Sequence, residues 1–416
     1  MSKNICSVCN KEFEDKYFDK EQTKCILHCE KDGWNNFNNK NIFFNKYGKF
    51  LENKKLNQGI LKISDIVFPD LYKEDFEKIY KDCKQITFYK CIFNQINFGD
   101  LEINSSILFE ECKFNKDVDF TTTEFKYLSF HRITKAEELN FQSIKVNGEF
   151  ELEDCIFDSE INFEYAKFYE NVVILNTKFN NNVNLNYTTF EKLLSFKKSE
   201  FKYDLNLENT IFKSYVNFLG VEAKIANRET ARIIKDSFEK QNNIIEANKF
   251  YALEMKARED ELERDIREGK NFFEWLVFKI HGLASNHSQD WLLPIFWILN
   301  ITFSLFITEK SIEIFDFNLI AFIPLISMII LGITIAIINY HTRRTILLFI
   351  LSFINFGIFK IISKKHSLDC VSDKINPFSI MTELSKLDFS TMIYKITIAY
   401  LIYQLIISIR QNTRRK

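Results

Sequence analysis

Proline and glycine are scarce in this chain of 416 residues, which holds four prolines and ten glycines. Charge of one sign is also missing. The formal net charge is -1, which argues against a nucleic-acid-binding protein of the basic kind. The motifs of common catalytic chemistries are absent too: there is no P-loop, no G-x-G-x-x-G after a strand, no H-E-x-x-H and no nucleophile elbow. No catalytic constellation is therefore signalled, and the protein is expected not to be an enzyme. The six histidines (His28, His131, His281, His287, His341 and His366) are scattered. No secretory signal peptide precedes the first cysteines, and the nine cysteines follow no single disulfide framework. The soluble part is accordingly expected in the cytoplasm with reduced thiols.

Phenylalanine, in contrast, is greatly over-used, with 44 copies. From Ile86 to Tyr215 one pattern returns about every eleven residues, as in INFEYAKFYEN from Ile161, VVILNTKFNNN from Val172 and VNLNYTTFEKL from Val183. Each unit holds an aliphatic residue, then Phe or Leu two places on, then a small residue, then Phe. Large apolar residues are therefore spaced alternately five and six apart, for example Phe163, Phe168, Ile174, Phe179, Leu185 and Phe190. A helical face recurs every 3.6 residues or so and a half-buried strand every two, so this spacing needs a backbone that turns a corner inside every unit. A coiled β-solenoid satisfies it. Four corners per turn give coils of about 22 residues, and roughly six coils at a strand spacing of about 4.8 Å make a stack about 30 Å long. The interior is expected to be columns of phenylalanine separated by small fillers such as Cys91, Cys112, Thr123, Cys155, Ala166, Thr177, Thr188, Ser199 and Thr210.

The double motif F-x-x-(A/S/T/C)-x-F resembles the phenylalanine-rich, eleven-residue variant of the pentapeptide repeat proteins. The resemblance covers about a third of the chain and implies a right-handed quadrilateral β-helix. Phe replaces the commoner Leu at the central position, and one extra residue enters each pair. Units starting at Ile86 and Val118 are one residue short, so the early coils are expected to be less regular.

Ahead of the repeats, Cys6, Cys9, Cys25 and Cys29 form two close pairs, with His28 beside the last. The C-x-x-C spacing lets two thiolates meet one ion at a tight turn, and four soft ligands in two pairs suit a closed, structural tetrahedral zinc. Cys29 is the preferred fourth ligand and His28 the alternative. Residues 1–33 are thus expected as a zinc-knuckle-like motif, 34–85 as a helical or mixed cap and 86–220 as the solenoid. Residues 221–271 are expected as an amphipathic helical linker, with Arg258 to Lys270 a solvated, charge-paired end.

From Phe272 the chain changes solvent. NFFEWLVFKIHGL is an aromatic, amphipathic stretch suited to a membrane interface, and residues 272–416 are expected to hold about four transmembrane helices, near 291–308, 319–338, 345–362 and 390–409. Arg343, Arg344, Arg410, Arg414, Arg415 and Lys416 flank one side, whereas Glu309, Glu313 and Asp316 lie in the loop on the other. By the positive-inside rule both termini are cytoplasmic, in a bacterial inner membrane. Asn300, Asn355, Lys395 and Gln404 are the polar candidates inside the spans, as glue between helices or as lining of an ion path. No TVGYG-like filter accompanies them, which removes the basis for assigning potassium selectivity.

The expected architecture is therefore a β-solenoid head with an α-helical stalk on an all-α transmembrane domain. The expected function is a non-enzymatic scaffold that offers the solenoid face to a protein partner, anchored in the lipid bilayer and able to form a homo-oligomer through its spans. The alternatives are a channel or membrane-perturbing effector gated by the head and, because some pentapeptide repeat proteins resemble DNA, a topoisomerase-binding mimic.

Overall fold

The computed structural model describes residues 4–31, 37–52, 59–79, 83–134, 136–315, 322–336, 341–363, 369–376 and 389–413. It divides into two compact units, Met1–Asn242 and Asn243–Lys416.

The first unit is a parallel β-solenoid of about seven turns. Each regular turn lays down four short strands. Lys167–Phe168, Val172–Leu175, Lys178–Phe179 and Val183–Asn184 form one turn, and each pairs in parallel with its counterpart 22 residues later in the ladder. Phenylalanines stack along the axis within these ladders. Phe157, Phe179 and Phe201 have ring centroids 5.7 and 4.8 Å apart, and Phe168, Phe190 and Phe212 are spaced 5.1 and 5.6 Å. Each such pair adds about 0.5–1.5 kcal/mol beyond the area it buries.

The corners explain how the chain turns without glycine. Asp119, Asn140, Asn162, Asn184 and Asn206 occupy equivalent positions, and each Oδ1 accepts the backbone N–H two residues on at 2.9–3.1 Å. This side-chain turn leads into a left-handed residue, and Thr122, Ser143, Tyr165, Tyr187 and Asn209 follow with φ of 56–60°. The same asparagines bond from coil to coil: Asn184 donates to Asn162 and Asn206 to Asn184.

The ladder begins before the expected start at Ile86. Ile60–Ser64, Val67–Phe68 and Leu71–Tyr72 pair in parallel with Gln85–Tyr89, Ile92–Phe93 and Ile96–Asn97. The repeat is concealed here because the first coil is longer than 22 residues, Ile60 pairing with Gln85, whereas Ile86 to Ile107 is one residue shorter. Helix α1 (Phe37–Glu52) covers this end. Its Phe43 and Tyr47 are fully buried with ring centroids 5.9 and 5.5 Å from that of Phe68. Lys40 of α1 and Lys78 of the short helix α2 (Phe76–Ile79) share the buried carboxylate of Asp75.

At the far end Glu222–Ile225 completes the last coil, and α3 (Arg228–Lys240) lies across it. Its N-cap Asn227 accepts from Thr230 N and donates to Asn206 Oδ1, so the asparagine ladder runs into the cap. Thr230 Oγ1 accepts Leu207 N at 2.9 Å, and Ser237 Oγ donates to Val216 O at 2.8 Å. Open strand edges invite pairing with other chains, and these contacts close them. Residues 221–271 thus divide between the two units.

The second unit is helical: α4 (Ile244–Arg267), α5 (Phe272–Ser285), α6 (Leu292–Phe315), α7 (Ile323–Ala336), α8 (His341–Ser363), α9 (Asp369–Ile375) and α10 (Phe389–Thr413). Three segments among the described residues, Leu292–Glu313, Arg343–Ile362 and Phe389–Thr413, are apolar and long enough to span a membrane. The expected span at 319–338 lies partly outside the described residues, and α7 shows 14 residues of it. Leu293, Phe296, Trp297, Leu348, Leu351, Ile398 and Leu401 join α6, α8 and α10 in one core. Gly332 lets α7 approach α6, since a Cβ there would lie 2.6 Å from the Trp297 ring.

Candidate metal centre

Two tight turns build the N-terminal cluster. In the first, Asn10 N donates to Cys6 O at 2.8 Å and Asn10 takes φ of 55°, which folds Cys9 back beside Cys6. In the second, His28 N and Cys29 N both donate to Cys25 O, at 2.8 and 2.9 Å. A main-chain bond from Ser7 N to Thr23 O, 3.0 Å, brings the turns together.

Ligand atoms of Cys6, Cys9, Cys25 and His28 all lie within 4.8 Å of one another. His28 Nδ1 is 3.5 Å from Cys6 Sγ and 3.0 Å from Cys25 Sγ. These separations are close to the roughly 3.5 Å edge that metal–sulfur and metal–nitrogen bonds of about 2.3 and 2.0 Å give in a tetrahedron. Of the two residues weighed for the fourth position, the structure brings in His28. Cys29 is buried elsewhere, its thiol donating to Ile26 O at 3.8 Å. The reason is spacing: Cys25-x-x-His28 repeats the three-residue step of Cys6-x-x-Cys9, whereas Cys29 lies one residue further round the turn.

The electrostatics suit a cation. Burial raises the Cys6 thiol, but the amides of Cys25, Cys9 and Val8 outweigh it and bring it below its ordinary value. Burial pushes Cys9, Cys25 and Cys29 upward. Burial also pushes His28 down to about 4, keeping its imidazole neutral and able to ligate. Uncoordinated thiols crowded in a closed site gain little, and a divalent cation reverses that balance by holding them as thiolates. The cluster also serves the fold, because Leu27 O accepts Val67 N of the first coil at 2.9 Å.

Of the polar candidates of the second unit, the structure brings Asn300 and Asn355 together and gives Lys395 and Gln404 separate partners. Asn300 of α6 donates to Phe296 O and Ser352 Oγ, both at 2.8 Å, and Asn355 of α8 donates to Asn300 O, Asn300 Oδ1 and Ser304 Oγ at 3.1–3.2 Å. Lys395 donates to the carbonyls of Lys374 and Asn376 at the C-terminus of α9, where the helix end is negative. Gln404 Oε1 accepts from Ser285 and Ser288.

On the solenoid flank many carboxylates meet a lysine one coil away: Glu170 with Lys192, Glu191 with Lys213 and Glu200 with Lys178. One flank feature was not singled out from sequence. Tyr165 and Tyr187, about half exposed, stack with centroids 5.1 Å apart and planes 4° off parallel. Their spacing of one coil was the available signal.

Comparison with known proteins finds no matching family model, no matching curated protein and no matching solved structure.

Proposed function

We propose that this chain is a membrane-anchored, non-enzymatic scaffold of the pentapeptide-repeat kind. Its zinc-stapled head offers one flank of the solenoid to a protein partner. The observation that carries this reading is the Tyr165–Tyr187 stack: two large apolar rings held in the open, on a rigid coil, beside polar and charge-paired surface. Tyrosine so placed supplies contact area at low entropic cost, and both ends of the solenoid are covered, which leaves its sides for binding.

The metal fits as zinc with a Cys6, Cys9, Cys25 and His28 ligand set, structural because all four positions are taken by the protein. The three spanning-length helices supply the anchor. Phe272, Phe273, Leu276, Val277 and Ile280 leave an exposed apolar face on α5, suited to the membrane interface ahead of the first span. With α7 counted as a shorter fourth crossing, the arginines at 343, 344 and 410 support a reading in which the head and both termini lie on the cytoplasmic side of a bacterial inner membrane. The asparagines that an ion path would use are engaged between α6 and α8, and flank carboxylates are paired with lysines, so a scaffold is preferred to a channel or a DNA mimic.

The test is photo-crosslinking in cells from an analogue placed at Tyr165 or Tyr187, with the opposite corner, Asn176, as control. A discrete adduct from the tyrosine positions alone is expected. No adduct, or equal adducts from Asn176, overturns the reading.

A further inference from the structure

The turn between α5 and α6 passes through three consecutive left-handed residues, Asn286, His287 and Ser288, with φ of 49°, 53° and 65°. Each costs about 1–2 kcal/mol relative to a right-handed residue, so a run of three persists only where contacts hold it. The contacts centre on His287. Its imidazole, 5% exposed, has a ring centroid 4.9 Å from that of Phe278, and its Nδ1 lies 3.3 Å from Nδ1 of His281. His281 Nε2 meets Ser288 Oγ at 3.3 Å, and the hydroxyls of Ser285 and Ser288 lie 3.0 and 3.3 Å from Gln404 Oε1 of α10. On its other edge His287 Nε2 is buried, has no hydrogen-bond partner among the described residues and faces Glu259 Oε2 of α4 at 3.9 Å.

Two imidazoles that meet nitrogen to nitrogen share one proton, one donating and the other accepting. A proton added at the donor ring's outer nitrogen leaves that bond in place, but a second one, which makes both rings imidazolium, sets two N–H groups against each other in a buried site, and the contact cannot hold. The surroundings supply charge for one imidazolium. From α4 come Glu259 and Glu263, both bonded to Lys279 of α5, at 2.6 and 2.7 Å. The turn contributes Asp290, already paired with Arg344 of α8 at 2.6 Å, and α10 contributes the neutral Gln404. Burial and then the neighbouring His287 hold His281 below its ordinary value, in keeping with a pair that resists its second proton.

We propose that His281 and His287, seated on Glu259, form an acid-opened latch that fixes α5 to the start of the first long apolar helix. At neutral pH the single shared proton closes it. On acidification the second proton parts the rings, the left-handed turn loses its support, and α5 with its exposed apolar face is released from the turn. The latch needs neither the metal centre nor a partner, so its failure would leave the scaffold reading untouched.

The experiment uses the full chain in phosphatidylcholine nanodiscs and measures amide exchange of residues 283–291 at about pH 7.5 and about pH 4.5, corrected for the intrinsic rate, a window that reaches below ordinary histidine titration because the pair resists its second proton. Wild type is expected to lose about tenfold or more protection on acidification, the effect of roughly one unit of pKa. His281→Gln and His287→Phe, which cannot take the second proton, are expected to show no such loss. Equal protection of wild type at both pH values overturns the latch, as does an undiminished loss in both variants. If the variants do not fold, histidine nitrogen spectra of wild type decide. Uptake of the second proton together with loss of protection supports the latch, and independent titration of both rings near about pH 6.5 refutes it.

Discussion

The hydroxyl of Thr188 donates to the carbonyl of Phe163 at 2.8 Å, across the interior to the preceding coil. The same bond recurs from Thr123 to Phe98, Ser199 to Ile174 and Thr210 to Leu185, and the thiol of Cys155 reaches Phe130 O. The small interior residues are therefore donors as well as spacers. Thr188→Val keeps the volume and removes the donor, while Phe163 O retains the amide of Ala166. A loss of about 0.5–1.5 kcal/mol follows, the net worth of one hydrogen bond, and Thr188→Ser should recover most of it in denaturant unfolding.

Phe179 sits between Phe157 and Phe201 in one stacked column and is 1% exposed. Phe179→Ala leaves a cavity that the parallel strands on either side cannot close. The expected cost is about 3–5 kcal/mol, read as a fall in the thermal midpoint of the head.

The metal centre separates two neighbouring residues. His28→Ala should reduce bound zinc below one per chain, measured by elemental analysis, whereas Cys29→Ser should leave it at one, because Cys29 Sγ bonds to Ile26 O. Chelation should also loosen the first coil, since the Leu27 to Val67 bond depends on the folded knuckle, and protease cleavage near residues 60–72 should quicken.

Acid should act on Glu259 as well. The imidazole of His287 facing it at 3.9 Å, aided by Lys279, holds the carboxyl down to about 2 from an ordinary 4.5. The unfolded chain therefore binds a proton that the folded chain refuses between these values. The stabilisation is complete above about pH 4.5 and declines as the pH falls toward about 2. Thermal midpoints recorded down through this range should fall more steeply for wild type than for Glu259→Gln.

Asn355→Leu tests the polar contact between α6 and α8. Asn355 Nδ2 serves three acceptors on α6, and polar contacts of this type in membranes average about 0.6 kcal/mol and reach about 1.7 kcal/mol. A loss of about 1–2 kcal/mol is expected in mixed-micelle unfolding.

The solenoid was legible because every eleven-residue unit repeats the same burial demand, so Phe163, Phe168 and Phe179 announce a corner-turning backbone without any alignment. Its first coil was not, since Ile60 to Tyr72 carry ordinary strand patterning and a longer loop displaces the period. The cluster at Cys6, Cys9 and Cys25 was legible from spacing, but the choice between His28 and Cys29 depends on which side of one turn each falls. Gln404 and Ser285 meet only in three dimensions. Among the described residues no local pattern links a glutamine in the last helix to a serine more than a hundred positions earlier.

The solenoid's fixed 22-residue repeat also constrains how the head can change in length. Losing one amino acid from within a regular strand would put its inward positions out of phase with the ladder, whereas excising an entire coil, such as 167–188, rejoins Val146-type and Phe190-type positions in matching phase. The head is therefore adjustable only in whole steps of about 4.8 Å, a ruler graduated by its own covalent period.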